Sequence, residues 1–372
     1  MQNAVIWGTG VYGKKVGDIF IRWYSNGDIN ILGYTNSYND RETVCGYPFF
    51  EKEKIDFEKV DMLCIAVRDK EVFEEIKNSI CKKIRKEKIY SFYRFLNELR
   101  RRKILRTYND VGLENEFSDI LEYLKDHELT VRNNYENKDV VRYEVFRDAE
   151  NGYPYIIFRG HRMFYPLNRR FEQDEEGKQF VCNVVEADQY PGSPHLYIHS
   201  EHSVREGDII VDAGAAEGNF VMSWIDKIRK AYVFEGDKEW LKALRLTIKP
   251  FKNKVCLIPK YLSDVDSDTH TTLDSAIFEP VDFVKMDIEG DECKALLGGI
   301  ELLKRSNAKL SICAYHRQHD AKYLSFLLNA MGYRFSYSNG WMFFCYDKYI
   351  DQTLDFRRGV LYGDKKEEVS IA

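Results

Sequence analysis

The sequence lacks the features of membrane-spanning, secreted and nucleic-acid-coating proteins. In 372 residues, no apolar run approaches the roughly 18 residues that a membrane helix needs. The first residues, MQNAVIWGTG, form a strand-like run without the basic and apolar regions of a signal peptide, so we expect none. The formal net charge is −5, with 55 basic and 60 acidic side chains, so we also expect no nucleic-acid partner.

Closely spaced cysteine pairs are also missing. The eight cysteines are scattered, none form a Cys-x-x-Cys pair, and several lie in apolar runs such as MLCIAV, where a free thiol packs as a small hydrophobe. This usage favours reduced thiols and a cytoplasmic location. Hydrophobic residues at 44% and charged residues at 31% are ordinary for folded domains, and the length suggests two or three of them.

Two glycine-rich turns punctuate the chain about two hundred residues apart. Each follows a short apolar run and precedes an amphipathic stretch, which is typical of the first strand and helix of a Rossmann-like sheet. We therefore predict an α/β protein with two Rossmann-like domains. The predicted divisions are an N-terminal Rossmann-like domain at 1–105, a linker helix and β-rich or irregular middle segment at 106–205, and a second Rossmann-like domain at 206–372.

The second domain has the pattern of a mostly parallel sheet that ends in an antiparallel hairpin. Asn339-Gly340 lies between two alternating apolar runs, which is a strong hairpin signal. It predicts paired strands at 333–337 and 341–346. The helical periodicity before them predicts one long helix at 289–305.

The first glycine turn has the spacing of a dinucleotide-binding fingerprint, at Gly8, Gly10 and Gly13. The fingerprint expects an acidic residue about twenty positions later for the ribose. Here the second strand ends in Thr35 and Asn36 instead. Two interpretations stay open: these glycines form a second nucleotide or nucleotide-sugar site, or the domain serves as a scaffold or in assembly without a cofactor.

In the second domain, ionisable residues end several strands of one sheet. Asp212 and Glu235 end the first two strands, Asp287 ends the fourth, and His316 follows the fifth. Ligands of parallel sheets bind at this edge, and an acid that ends the second strand suits the diol of a ribose. The pattern predicts a nucleotide-like cofactor over the turn Asp212 to Gly218.

These residues resemble the FkbM family of S-adenosylmethionine-dependent methyltransferases over roughly 193–346. The resemblance lies in 212–218, in 272–274 and, most specifically, in KMDIEGDE at 285–292. It implies a class I methyltransferase fold, S-adenosylmethionine as the cofactor and S-adenosylhomocysteine as the product. With the strand-end pattern, it gives the following cofactor-binding residues: Asp212, Gly214, Ala215, Glu217, Gly218, Asn219, Glu235, Ser263, Asp264 and Asp287.

Methyl transfer from a sulfonium is an in-line displacement, so the protein mainly positions the acceptor and removes a proton. His316 is our first candidate for the general base, because the usual histidine pKa of about 6.5 suits a base at neutral pH. Asp287 is the second candidate, as base or orienting group. His195, which precedes the first strand, is the third. The alternative for His316 is a purely structural histidine.

Two groups of residues have the spacing of metal ligands on one helical face. They are His195, His199 and His202, and His316, His319 and Asp320. Such groups are more often solvated surface side chains, and eight histidines in 372 residues are no enrichment. We therefore expect no catalytic metal.

A basic stretch at 82–106 carries eleven Lys and Arg residues against two Glu residues, with aromatic and leucine residues between them. It predicts either a packed linker helix or a peripheral contact with an anionic membrane. For the whole chain we expect a methyltransferase that O-methylates a saccharide, a nucleotide-linked sugar or a related small metabolite, with a homo-oligomer as an open possibility. The alternatives are a non-catalytic scaffold with a methyltransferase-like domain and an NAD-linked sugar-modifying enzyme.

Overall fold

The structure is a computed structural model that describes residues 1–23, 29–38, 43–109, 116–132, 143–167, 185 and 188–366. The chain divides into two units. The first contains Met1–Thr130 with Asp351–Leu354, and the second contains Val131–Ile350 with Asp355–Ala372. This division differs from the predicted boundaries at 105 and 205, because the helices that follow residue 91 pack in the first unit and the middle strands pack in the second.

The N-terminal unit is built on a four-stranded parallel sheet. Its strands are β1 (Gln2–Trp7), β2 (Ile29–Thr35), β5 (Met62–Ile65) and β6 (Ile89–Ser91), in the order β2-β1-β5-β6, with a small hairpin of β3 (Thr43–Val44) and β4 (Tyr47–Pro48). Its helices are α1 (Val11–Trp23), α2 (Lys70–Ile80), α3 (Phe92–Asn109) and α4 (Ser118–Asp126). Ala4 and Ile6 pack in one apolar cluster and Val5 and Trp7 in another, as expected of a parallel sheet covered on both faces.

The basic stretch at 82–106 becomes α3 and the turn and strand before it. Phe95, Leu96 and Leu99 of α3 are buried in the core of the N-terminal unit. Several of its cations are paired within that unit: Arg100 Nε donates to Asp351 Oδ1 at 2.7 Å, and Arg101 Nε donates to Glu98 Oε2 at 2.8 Å. The packing agrees with the linker-helix interpretation, and these pairs reduce the charge that is left for an anionic surface.

The described part of the middle segment is a three-stranded antiparallel sheet. It consists of β7 (Phe146–Arg147), β8 (Pro154–Phe158) and β9 (His161–Phe164), in the order β7-β8-β9. Ile156, Phe158 and Met163 belong to the hydrophobic core of the C-terminal unit. The β-rich prediction is confirmed for this part, and residues 110–115, 133–142, 168–184 and 186–187 lie outside the described residues.

A seven-stranded mixed sheet forms the centre of the C-terminal unit. Its strands are β10 (Ile209–Ala213), β11 (Lys230–Phe234), β12 (Val255–Ile258), β15 (Phe283–Met286), β16 (Lys309–Cys313), β17 (Tyr333–Tyr337) and β18 (Val360–Lys365), in the order β12-β11-β10-β15-β16-β18-β17. The first five strands in this order are parallel, and β18 is antiparallel to both of its neighbours. Between β12 and β15 in the sequence, two short strands, β13 (Tyr261–Leu262) and β14 (His270–Thr271), pair with each other.

Helices connect these strands. They are α5 (Asn219–Trp224), α6 (Lys238–Ile248), α7 (Leu273–Ala276), α8 (Glu292–Leu297), α9 (Ile300–Arg305), α10 (Asp320–Ala330) and α11 (Ile350–Thr353). Asp237 caps α6 by accepting hydrogen bonds from the backbone N–H groups of Glu239 and Trp240. No helix among the described residues has the length and the hydropathy needed to cross a bilayer.

The predicted mostly parallel sheet with an antiparallel end is confirmed, but the predicted hairpin partner is wrong. The strand that pairs with β17 is β18, at 360–365, and not the run at 341–346. In that run, Met342 makes an isolated antiparallel bridge to Arg357, and Phe343 is fully buried. Asn339-Gly340 therefore turns the chain into a buried loop, and the alternating apolar pattern reflects burial of that loop.

The predicted long helix at 289–305 is also wrong, because two glycines divide it into α8 and α9. A Cβ atom at Gly298 would lie 2.2 Å from the Ser263 carbonyl oxygen, and one at Gly299 would lie 2.7 Å from Leu273 Cδ1. The break allows the Asp274 side chain to accept hydrogen bonds from the Glu301 and Leu302 backbone N–H groups at 3.1 and 2.6 Å. The Thr272-Leu273-Asp274 segment thus caps helices.

Candidate functional site

The second glycine turn is packed against the end of β15. Gly214 has φ of +73°, and a Cβ atom there would lie 1.8 Å from the Asp287 carbonyl oxygen. The Asp287 N–H donates to the Ala213 carbonyl oxygen at 3.0 Å. Only glycine satisfies both the left-handed conformation and this close approach. The turn therefore brings the backbone after β10 against the residue that ends β15.

A buried ion pair between Lys285 and Asp212 holds this turn in place. Lys285 Nζ lies 3.1 Å from Asp212 Oδ1 and donates to the Gly214 carbonyl oxygen at 2.7 Å. Burial alone would lower the pKa of Lys285, but Asp212 and Asp287 outweigh it and raise that pKa. Asp212 Oδ2 also accepts the Val221 N–H at 3.2 Å. Asp212 thus holds the turn and the start of α5 in place.

Glu235, at the end of β11, connects the turn to the next loop. Its Oε2 accepts the Ala216 N–H at 2.9 Å, and its Oε1 accepts the Asp237 N–H at 2.7 Å. Burial raises the pKa of this carboxyl. Each carboxylate oxygen has a second lone pair, so Glu235 can still accept hydrogen bonds from a ligand diol.

A cavity of about 570 Å³ opens over these residues. A Cβ atom at Gly236 would lie 2.3 Å from the Tyr261 ring, so the absence of a side chain allows the ring to cover the loop. Trp240 lies on the same wall. Five carboxylic acids line the cavity, at Glu235, Asp237, Asp287, Glu289 and Asp291, and the basic lining residues are Lys260 and His270. This balance favours a ligand with positive charge.

Asp287 and Glu292 enclose His316 at the inner end of the site. His316 Nε2 lies 3.2 Å from Asp287 Oδ1, and His316 Nδ1 lies 2.9 Å from Glu292 Oε1. Burial by itself would lower the pKa of His316, but its hydrogen bonds to the two carboxylates outweigh burial and raise that pKa well above the usual value. His316 therefore holds a proton at neutral pH, and this geometry disfavours it as the resting general base.

His195 and Tyr197 contact the other carboxylate oxygen of Asp287. The Tyr197 hydroxyl donates to Asp287 Oδ2 at 2.7 Å, and His195 Nε2 lies 3.4 Å from the same oxygen and 2.9 Å from the Tyr315 hydroxyl. Burial raises the pKa of Asp287, but hydrogen bonds from His195 and His316 hold it well below its usual range. The structure thus brings all three candidate catalytic residues, His316, Asp287 and His195, together.

The other predicted cofactor residues are spread around this centre. Gly218 has φ of +89° and is the N-cap residue before α5, Ala215 lies in the core, and Ser263 donates to Asp264 Oδ1 at 3.1 Å. Glu217 is buried, and burial raises the pKa of its carboxyl to about 7. Of the ten predicted residues, Gly214, Glu235 and Asp287 line the 570 Å³ cavity, and Asn219 lines a second cavity.

Neither predicted metal group lies on a helical face. His195, His199 and His202 are on an irregular segment, where His199 and His202 form a two-residue bridge. The structure instead brings two other groups within 4.8 Å, namely His195 with Asp287 and Cys313, and Asp287 with Glu292 and His316. In the second group both ring nitrogens of His316 face carboxylates, so a cation would have to displace a shared proton.

The first glycine turn is tightly closed on itself. Gly8 has φ of +131°, and a Cβ atom at Gly13 would lie 2.0 Å from the Gly8 carbonyl oxygen. A Cβ atom at Gly10 would contact nothing within 4 Å. Where an acid is expected, Asn36 is buried and donates to Thr9 Oγ1 at 3.3 Å. Gly8 and Gly13 thus have a packing role, and a nucleotide site at Gly8, Gly10 and Gly13 stays a prediction.

Sequence reasoning missed two residues of the centre. Tyr197 lies in an irregular segment, two residues after His195 in the SPHLY run at 193–197, and no role was predicted for it. Glu292 is completely buried, although an acid at the start of a helix usually reflects the helix dipole. The available signal was the run KMDIEGDE, because it contains both Asp287 and Glu292, the two acids that contact His316.

The fold and this site define a class I methyltransferase-type unit: a parallel sheet with an antiparallel end, a glycine turn after its first strand and an acid after its second. Residues 263–335 match the family model described as the methyltransferase FkbM domain. The matched residues include KMDIEGDE at 285–292, so this match agrees with the resemblance that the run predicted.

Solved structures give similarities of low identity. The chain is similar to methyltransferase FkbM from Methylobacillus flagellatus KT, with 16% identity, a TM-score of 0.43 and coverage of 97% of this chain and 90% of that chain. It is similar to precorrin-6y C5,15-methyltransferase from Geobacter metallireducens (14% identity, TM-score 0.32, 44% and 85% coverage) and to a Streptococcus mutans protein in complex with SAH (14%, 0.30, 43% and 90%). No curated protein matched. These identities are too low to transfer a function to this chain.

Proposed function

We propose that the protein is a cytoplasmic S-adenosylmethionine-dependent methyltransferase whose acceptor is a hydroxyl group on a saccharide, a nucleotide-linked sugar or a related small metabolite. The observation that carries the proposal is the acid-lined cavity over the Gly214 turn, with Glu235 at its second strand end. The match of residues 263–335 to the FkbM domain supports the class of reaction.

The residues of the cavity fit this cofactor. A sulfonium and an ammonium group carry two positive charges against one carboxylate, and the cavity has five acidic and two basic lining residues. Glu235 would accept the ribose hydroxyls, and the Gly214 backbone, which lines the cavity, would lie under the methionine part. Tyr261 and Trp240 would flank the adenine, since flat aromatic rings suit a purine.

When bound, the cofactor supplies an activated methyl group on a good leaving group. The protein's own task is to orient the acceptor oxygen and to take its proton. His316 acts as an imidazolium that keeps Asp287 ionised, while Tyr197 and His195 orient the other oxygen of Asp287. Asp287 accepts the hydrogen bond of the acceptor hydroxyl and then its proton as the new C–O bond forms. A low pKa suffices for this step, because a methylated hydroxyl is strongly acidic.

The test is a turnover assay with purified full-length protein, labelled S-adenosylmethionine and a panel of saccharides and nucleotide-linked sugars. We expect S-adenosylhomocysteine to form with at least one acceptor, and the Asp287→Asn variant to lose at least about 100-fold in rate while it still binds the cofactor. Cofactor binding without turnover on any acceptor would favour the scaffold alternative. No binding of S-adenosylmethionine or S-adenosylhomocysteine would contradict the proposal.

A further inference from the structure

A second cavity of about 380 Å³ borders the segment that carries Tyr197. Six aromatic side chains line it, which are Tyr143, Phe158, Tyr190, Tyr197, Phe220 and Trp224. Its polar lining comes from Arg159, Gln189, Asn219 and Ser223. Cavities of this size and character hold small ligands, with apolar walls for contact area and a few polar groups for orientation.

This cavity is connected to the catalytic centre by one side chain. The Tyr197 ring forms part of the cavity wall, and its hydroxyl donates to Asp287 Oδ2 at 2.7 Å. Gln189, on the same wall, accepts the Tyr197 N–H at 3.0 Å and donates to the His195 carbonyl oxygen at 3.1 Å. A molecule in the second cavity would therefore contact the residues that hold His195 and Tyr197 against Asp287.

The charge of the second cavity is opposite to that of the first. Arg159 is its one charged lining residue among the described parts of the chain, and it is exposed to solvent. Its Nη1 donates to the Ser223 carbonyl oxygen at 3.2 Å, and its Cζ lies 5.6 Å from the centre of the Phe158 ring. A guanidinium has five N–H donors in a fork that suits phosphate oxygens, and this carbonyl contact uses one of them.

We propose that the second cavity is an anchoring subsite for the acceptor and binds a glycosyl phosphate group of it, with that sugar ring against the aromatic walls and the phosphate at Arg159. The hydroxyl that Asp287 deprotonates belongs to another part of the acceptor, because Asp287 lines the first cavity and not the second. This inference rests on the proposed methyltransferase function and names its substrate class. Aromatic rings contact the C–H face of a sugar while leaving its hydroxyl groups free. The acidic cofactor cavity repels a phosphate, so the two cavities select different ligands.

The experiment measures ligand binding by isothermal titration calorimetry on full-length protein saturated with S-adenosylhomocysteine. The probes are glucose 1-phosphate, galactose 1-phosphate and UDP-glucose, with glucose and inorganic phosphate as separate arms. We expect at least one glycosyl phosphate to bind at least about tenfold more tightly than glucose or inorganic phosphate alone, since a charged hydrogen bond and a ring contact each add affinity.

Two variants with matched controls test the site itself. Arg159→Gln and Tyr190→Ala, both at exposed positions, should each weaken glycosyl phosphate binding about tenfold and leave the affinity for S-adenosylhomocysteine unchanged. Arg229→Gln and Tyr323→Ala alter residues that are also exposed but lie outside the cavity lining, and they should change neither affinity.

The outcomes separate the two proposals. If S-adenosylhomocysteine binds but none of the glycosyl phosphates does, or if neither cavity variant weakens their binding, the anchoring subsite is wrong while the methyltransferase proposal stands. Equal binding of glucose or inorganic phosphate alone would also overturn the subsite, because the combined chemistry would not be recognised. Failure of the wild-type protein to bind S-adenosylhomocysteine would contradict the proposed function instead.

Discussion

His316 shows how one residue can have the expected position and an unexpected protonation state. Its sequence position after a strand predicted a general base, but both ring nitrogens face carboxylates, and the raised pKa keeps the ring protonated. His316 is therefore positively charged at every pH below that raised pKa, and it loses its charge only when the pH rises above that pKa. Because Asp287 ionises well below its usual range, the charged pair persists across neutral pH.

Glu292→Gln tests this assignment. Removing one opposite charge at 2.9 Å should lower the pKa of His316 by about 1–3 units, so the imidazolium is lost as the pH rises through a lower value. We expect the pH profile of turnover, flat across neutral pH in the wild type, to decline on its alkaline side in the variant. The His316 Cε1–H resonance should titrate at the same lowered pKa.

The matched control for that experiment is Glu301→Gln, an exposed acid at the start of α9. It should leave both the pH profile and the His316 titration unchanged. If the profiles of Glu292→Gln and the wild type coincide, then Glu292 does not set the protonation of His316, and its buried position serves only the packing of α8.

Glu235→Gln tests the cofactor site through a second residue. The amide cannot accept hydrogen bonds on both of its terminal atoms, so one of the Ala216 and Asp237 N–H groups faces another donor. We expect the affinity for S-adenosylhomocysteine to fall by about 10- to 100-fold, corresponding to a charged hydrogen bond of about 1.5–3 kcal/mol. Calorimetric titration measures it, with the exposed Glu239→Gln as the control. Equal affinities in all three proteins would remove Glu235 from the site.

At the scale of elements, the sequence predicted the strands and turns that have a local pattern. It did not predict the strand pairing and the side-chain contacts that depend on residues far away in the chain. Apolar runs and glycine turns place β10, β11 and β15, because those strands are buried on both faces. The partner of β17 was mispredicted, since burial of 341–346 and pairing of 360–365 leave similar apolar patterns. Tyr197 and Glu292 could not be assigned, because their roles arise only when strand ends from distant parts of the sequence meet.

The turn between β10 and α5 offers a test of close backbone packing. Gly214→Ala and Gly207→Ala introduce the same methyl group at φ of +73° and +83°, but only Gly214 has an atom nearby, the Asp287 carbonyl oxygen at 1.8 Å from the new Cβ. Gly207→Ala should lower the free energy of unfolding by about 1–2 kcal/mol from the left-handed conformation alone. Gly214→Ala should lose a further 1–3 kcal/mol or so from overpacking.

Denaturant unfolding of the two variants measures this difference. The excess loss in Gly214→Ala isolates the contact with Asp287, since both variants share the conformational cost. Equal losses would mean that the turn can move away from β15 at little cost, and the close approach would then not define the cofactor cavity.

At the scale of the whole molecule, the two units present similar turns with different surroundings. The Gly214 turn lies beside an acid-lined cavity of about 570 Å³ and a strand-end glutamate. At the Gly8 turn, Gly13 packs on the Gly8 carbonyl group. Asn36 is hydrogen-bonded to Thr9 at the place where an acidic residue that binds a ribose would be expected. A glycine-rich turn after the first strand thus has different chemical surroundings in the two units, and for the first turn these surroundings favour the interpretation without a cofactor over the nucleotide site.

Hydrogen exchange on the full-length chain tests both turns in one sample. S-adenosylhomocysteine should slow exchange in peptides that contain 213–218 and 235–240 by at least about tenfold at saturation, because ligand binding adds stability to the elements it contacts. It should leave the peptide that contains 8–13 unchanged. NADH should protect neither turn. Protection at 8–13 by NADH would assign a second nucleotide site to the N-terminal unit, and Glu235→Gln should reduce the protection by the same concentration of S-adenosylhomocysteine without altering exchange at 8–13.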